Sequence, residues 1–302
     1  MSQSTGASQE WVQSRAAMLY CQTMLNFPGL HRTLLTLTIS VAGGIMAHLL
    51  DVPAAVLTGP ALAVTLMSIA GFDLDIPGPL RNAAFVVLGV GVGAAFDMSA
   101  GAAILRWPLA FVMLGLSLWL AMWLCTRVLV YRFGFNPRGA VMAAAPGHLS
   151  FVMSLALSEG RDVDRIAVVQ SIRLLALTLF VPSVAWIIGL PIDVSAGLGS
   201  APMSLPVFAL QSGIGTAFGL VLMRFKLPAP LFLGPMLVSG ASHVSDIAPG
   251  GVPPLLLVPA FMVLGGVIGT RFNGITLSRL KAAMGAGLVV TLLASGVAAL
   301  AS

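Results

Sequence analysis

Charge is scarce in this chain. Aspartate, glutamate, lysine and arginine make up only 8% of its 302 residues. A soluble domain carries about 25%, so a fold of this size has too few water-compatible groups to cover its surface. Cysteine is scarcer still: Cys21 and Cys125 lie far apart without a partner pattern, which excludes a disulfide framework and a thiolate metal site. Four histidines (His31, His48, His148 and His243) leave little from which to build a copper or iron centre. There is no nucleophile elbow, P-loop or dinucleotide fingerprint; Gly89, Gly91 and Gly93 are too closely spaced and sit inside an apolar run. The first thirty residues carry a short apolar stretch, AAMLYCQTML, with no small-residue cleavage site behind it. Residues 1–30 therefore read as a cytoplasmic or interfacial segment rather than a signal peptide.

What the chain has is apolar length. Hydrophobic residues make up 58% and the mean hydropathy is +1.00. Apolar runs near 20 residues recur throughout, the pattern of a polytopic helical membrane protein; the short alternating segments of a membrane barrel are missing. Spans are expected at roughly 33–50, 53–71, 80–96, 107–126, 166–190, 205–223, 228–245, 255–270 and 282–300. A further apolar stretch, 139–158, decides the topology. Counted as a full crossing, it scatters the basic residues over both sides. Counted as a re-entrant hairpin broken at Pro146-Gly147, it puts thirteen arginines and lysines inside and only Arg106 outside, alongside Asp51, Asp97, Asp193 and Asp246. The positive-inside rule selects the hairpin, with nine crossings and a cytoplasmic N-terminus. The same scattering of single basic residues between apolar runs leaves no clustered patch for direct nucleic-acid binding.

Two stretches resemble each other. VPAAVLTGPALA (52–63) and LPAPLFLGPMLV (227–238) place a proline and then a Gly-Pro pair at one spacing: Pro53 with Gly59-Pro60, Pro228 with Gly234-Pro235. The match extends from Ala42–Ala63 to Ala217–Val238, and again from FVVLGVGVGAAF (85–96) to FMVLGGVIGTRF (261–272). A repeat of this length marks a duplicated unit. Five spans precede the second copy, so the copies are expected to be inverted. The expected architecture is all-α, with inverted repeats of about five helices, broken helices and one re-entrant hairpin: residues 31–200 form the first repeat and 201–302 a second, shortened one. Gly-Pro within a span frees a backbone carbonyl that hydrocarbon penalises and a solute can satisfy. The GxxxG steps Gly89/Gly93 and Gly265/Gly269 read as close packing between the repeats.

The doubled PxxxLxGP element, AAAPGHLS (143–150) and VVQSIRLL (168–175) together resemble the AbrB-type membrane family, over nearly the whole chain after residue 30. Bacterial members are often labelled ammonia monooxygenases or regulators of gene expression. The resemblance implies a duplicated integral membrane protein, expected in the bacterial inner membrane. His148 stands where members often carry a second glycine, and Phe151 near where an acidic residue is expected.

The candidate substrate-binding residues are Gly59, Pro60, Pro146, Gly147, His148, Ser150, Gln170, Arg173, Gly234 and Pro235. Arg173 is the sharpest, lying eight residues beyond Arg165 and too deep for an end charge. It either attracts an anionic solute through its planar fork or ties down the hairpin carbonyls together with Gln170, one turn earlier on the same face. His148 and Ser150 would offer donors to the same cavity. His48/Asp51 and His243/Asp246, each at i,i+3, form the best metal constellation, but the repeat does not relate the two pairs. No catalytic residue, metal or cofactor is therefore assigned. The leading function is transport of a small molecule or ion by alternating access; the alternatives are a membrane oxidoreductase of the ammonia-monooxygenase type and a membrane component acting indirectly on gene expression. Expected partners are the lipid bilayer, the solute and, as an open alternative, a second copy of the chain.

Overall fold

The computed structural model describes residues 29–96, 108–145, 163–189, 201–225, 227–247 and 250–301. These residues form ten helices: α1 (Leu30–Leu49), α2 (Ala55–Ile69), α3 (Gly78–Ala94), α4 (Pro108–Phe133), α5 (Pro137–Ala144), α6 (Val163–Ile187), α7 (Leu205–Arg224), α8 (Pro230–Val244), α9 (Pro254–Thr270) and α10 (Leu277–Ala301). Five of them, α1, α4, α6, α7 and α10, are long and apolar enough to cross a bilayer. On α4 the side chains of Leu109, Phe111, Val112, Leu116 and Trp119 are all exposed, an apolar surface that lipid accommodates and water does not. The chain is an all-α polytopic membrane protein.

Helices α1, α2 and α3 have 20, 15 and 17 residues, and so do α7, α8 and α9. Irregular backbone recurs as well. Ala54 and Ala229, each just before the second helix of its triplet, both adopt the left-handed conformation, with φ of 52° and 48°. The break expected at Gly-Pro therefore lies earlier, at these alanines, and α2 and α8 stay helical through Pro60 and Pro235. A proline near the start of a helix forfeits only one backbone hydrogen bond, and here neighbouring helices fill the space around it.

Contacts fix the helix directions. Gly265 abuts Pro60 and Gly269 abuts Val64, so α9 runs parallel to α2; Gly89 abuts Pro235 and Gly93 abuts Ser239, so α3 runs parallel to α8. Ile76 meets Gly266 while Gly91 meets Leu257, so α3 and α9 are antiparallel. It follows that α2 and α8, the matching helices of the two triplets, point in opposite directions. The six helices pack in the order α1–α2–α9–α3–α8–α7, which reads the same from either end with the triplets exchanged.

The remaining helices, α4, α5, α6 and α10, enclose a second core that includes Cys125, Leu129, Ala143, Ile166, Val169 and Val290, and α6 joins it to α2 and α9. Basic residues gather at one end of the bundle. There Arg32 pairs with Asp73 at 2.7 Å, Arg279 with Asp164 at 3.0 Å, and Arg165 Nη2 donates to the Phe133 carbonyl. The last contact also defines the path of α5. The chain leaves this end after Phe133, reaches the level of Arg173 at Ala144, and is back at the same end by Val163. Residues 146–158 of the expected hairpin lie outside the described residues.

Candidate functional site

Asn136 starts α5 by accepting a hydrogen bond from the Arg138 amide at 3.2 Å, and the helix stops eight residues later at Ala144. Its last carbonyls have no helical partner, and they end deep in the bundle among the buried Met142, Ala143 and Ala144. Side chains from α6 satisfy them. Gln170 Nε2 donates to the carbonyls of Met142 at 2.8 Å and Ala145 at 3.2 Å. Arg173 Nη1 donates to Ala144 at 2.9 Å, and Nη2 to Ala145 at 3.1 Å and to Gln170 Oε1 at 3.0 Å. Both side chains are buried. The i,i+3 spacing puts them on one face of α6, and the guanidinium also opposes the negative end of the α5 dipole.

Of the two roles left open for Arg173, the carbonyl-holding one is what the geometry displays. Arg173 also borders a cleft of ≈ 480 Å³ between α4, α6 and α10. Phe111, Leu114 and Leu118 make this cleft largely apolar, and Ser117 and Cys125 add polar edges. Sequence reasoning passed over these last two. The signal available was the small, polar stripe Ser117, Ala121 and Cys125 at i,i+4 steps, on a helix otherwise bulky and greasy. Pro146, Gly147, His148 and Ser150 follow Ala145 directly in sequence and lie outside the described residues.

Gly59, Pro60, Gly234 and Pro235 are brought neither to this junction nor to each other. Each Gly-Pro pair is buried in a three-helix contact with one neighbour from its own triplet and one helix of the other, and α9 and α3 stand between the pairs. Gly59 lies against Gly43 of α1 and Pro60 against Gly265 of α9. In the second triplet, Gly234 lies against Gly215 and Gly219 of α7 and Pro235 against Gly89 of α3. What surrounds them is neighbouring backbone. On the metal constellation, His243 Nδ1 faces the Ser239 carbonyl at 2.8 Å and Nε2 faces the Gly250 carbonyl at 2.9 Å, so both ring nitrogens are engaged. Among the described residues no three His, Cys, Asp or Glu side chains come together.

An inverted pair of helix triplets joined to a re-entering half-helix with buried polar supports defines a class: polytopic membrane proteins built on internal inverted duplication. Residues 56–302 match the family model described as "Transition state regulatory protein AbrB", and the chain belongs to that AbrB family. It is similar to the protein named "Putative regulator AbrB" of Escherichia coli (strain K12), with 25% identity over 247 residues, 79% of this chain and 68% of that protein. No solved structure matches it.

Proposed function

We propose that the protein is a secondary transporter of a small solute in the bacterial inner membrane, its N-terminus and basic end facing the cytoplasm. The observation that carries this reading is the α5–α6 junction. A half-helix enters from one end and stops inside the bundle, and a buried arginine and glutamine hold its terminal carbonyls. Irregular backbone at membrane depth is tolerated where it lines a cavity, and inverted repeats supply the two exchangeable arrangements that alternating access requires. In this reading Arg173, Gln170 and the Pro146–Ser150 segment face the solute. Gly59-Pro60 and Gly234-Pro235 provide smooth helix contacts along which the triplets shift. Arg173 favours a solute carrying negative charge.

Purified protein in liposomes tests this with a panel of labelled small carboxylates and amines. Uptake of one member of the panel by the parent protein, reduced at least tenfold by Arg173→Lys and by His148→Ala, is the expected result. Uptake unchanged in both variants would remove the junction from the pathway. The oxidoreductase reading finds no support in how the described side chains are grouped. The name of the E. coli relative supports a second reading, in which the membrane protein influences gene expression indirectly. Transcript changes on gene deletion that a transport-dead variant still restores would favour that reading over transport.

A further inference from the structure

A second polar pocket lies at the basic end, well away from the α5–α6 junction. It has a volume of ≈ 540 Å³, within the usual range for small-ligand sites, and lies between the start of α6 and the turn joining α9 to α10. Arg165, Arg271 and Arg279 line it, together with Asn273 and, among the described residues, one carboxylate, Asp164. The three arginines differ in how they are engaged. Arg165 sits over the Phe135 ring, 4.0 Å from its centroid, and donates to the Phe133 carbonyl, so it is held in place. Arg279 pairs with Asp164 at 3.0 Å, but both side chains are largely exposed, at 64% and 72%, and such a pair exchanges readily with solvent or another anion.

Arg271 is the anomaly. It caps α9, its Nε is buried without a hydrogen-bond partner, and no carboxylate pairs with it among the described residues. The positive charge nearest in effect is another arginine, Arg81 of α3. Burial, and then the like charge of Arg81, push Arg271 down to about 10, which still leaves it cationic at neutral pH. Beside it, Asn273 gives its amide nitrogen to the Leu74 carbonyl and leaves a buried Oδ1 without a partner. A half-buried guanidinium with its Nε enclosed, under the influence of a second cation and with no carboxylate among the described residues to offset its desolvation, is an unfavourable arrangement.

We infer that this pocket is a binding site for a phosphate-bearing anion, held by Arg271 and Arg279 with Arg165 as a fixed side wall. Phosphate suits the site because a guanidinium fork binds two of its oxygens at once, and a phosphomonoester or phosphodiester fits the volume. Two sources share this chemistry: a free phosphate compound from the aqueous phase and the headgroup of an anionic lipid, which basic pockets at the cytoplasmic ends of helices attract. The inference stands apart from the transport reading, since it concerns binding at a different place in the molecule.

Thermal melting of the full-length protein tests both sources. In neutral detergent, inorganic phosphate is titrated with chloride holding the ionic strength constant. In the second arm, the protein is placed in phosphatidylcholine nanodiscs with and without phosphatidylglycerol. A ligand that binds only the folded state raises the melting temperature. A rise with phosphate identifies a free anion, and a rise only with phosphatidylglycerol identifies a lipid headgroup. In either case Arg271→Gln and Arg279→Gln should each weaken the apparent affinity about tenfold or more, and Arg127→Gln, outside the pocket, should not. Arg271→Gln should melt no lower than the parent without anion, because it removes an uncompensated charge, so loss of its response cannot be ascribed to misfolding. Absence of a rise in both arms, or a rise that survives both pocket substitutions, overturns the site.

Discussion

Arginine 173 shows how a single residue reports on a fold. A guanidinium eight residues into an apolar helix is unfavourable in lipid unless something accepts its hydrogen bonds, so a partner was implied by the sequence alone. Its identity was half legible: Gln170, one turn earlier, marked the face, but the carbonyls of Ala144 and Ala145 became partners only through the tertiary path of α5. Truncation should show this dependence. Arg173→Ala takes the donor from the buried Ala144 carbonyl and from Gln170 Oε1, while Gln170 Nε2 still reaches Ala145, and is expected to lower stability by roughly 2–4 kcal/mol. Arg173→Lys, a point charge without the fork, should fall between that and the parent. Melting of the detergent-solubilised variants checks the order. Arg271 was illegible for the opposite reason. A basic residue at a helix end is what topology alone predicts, and only the structure reveals that no carboxylate among the described residues neutralises it.

At the scale of the element, helix positions were readable and helix faces were not. A helix stands at each of the nine expected spans, five of them long and apolar enough to cross a bilayer, yet α4 runs to Phe133, well past the expected end near residue 126. Hydropathy stops at Arg127, but its guanidinium stacks over the rings of Trp123 and Tyr131, at 5.0 Å and 5.8 Å, and the helix continues beneath it. In α2 and α8 apolar residues occupy every side, so periodicity could not say which neighbour each face meets. The Gly-Pro pairs read as breaks because Gly and Pro are poor helix residues in water. Packed among other helices, they instead provide flat surfaces for close approach, and the interruption falls on Ala54 and Ala229. A left-handed alanine carries roughly 1 kcal/mol of strain that glycine lacks. Ala54→Gly and Ala229→Gly are therefore each expected to raise the melting temperature, and Ala55→Gly, inside α2, to lower it.

For the whole molecule, the internal duplication was visible in two aligned segments, and the inversion followed from an odd count of crossings. The palindromic order of six helices was not visible, because sequence similarity reveals which helices correspond but not which ones touch. The arrangement makes a test of topology simple. Leu129, near the end of α4, and Phe225, after α7, both belong at the basic end. Reporter tags inserted at positions 130 and 225 should be found on the same side of the membrane; opposite sides would contradict both the inversion and the hairpin.

The interlacing of the triplets bears on how the protein is made. Each Gly-Pro helix is flanked on one side by a sequence neighbour and on the other by a helix of the opposite triplet: α2 by α1 and α9, α8 by α7 and α3. When α2 first enters the bilayer, the helix that will cover its second flank begins only at Pro254. At ~5–20 residues per second of synthesis, that flank stays in contact with lipid for about 10 to 40 s. The early half of the protein therefore spends most of its biogenesis as an open partner, and only late synthesis closes it.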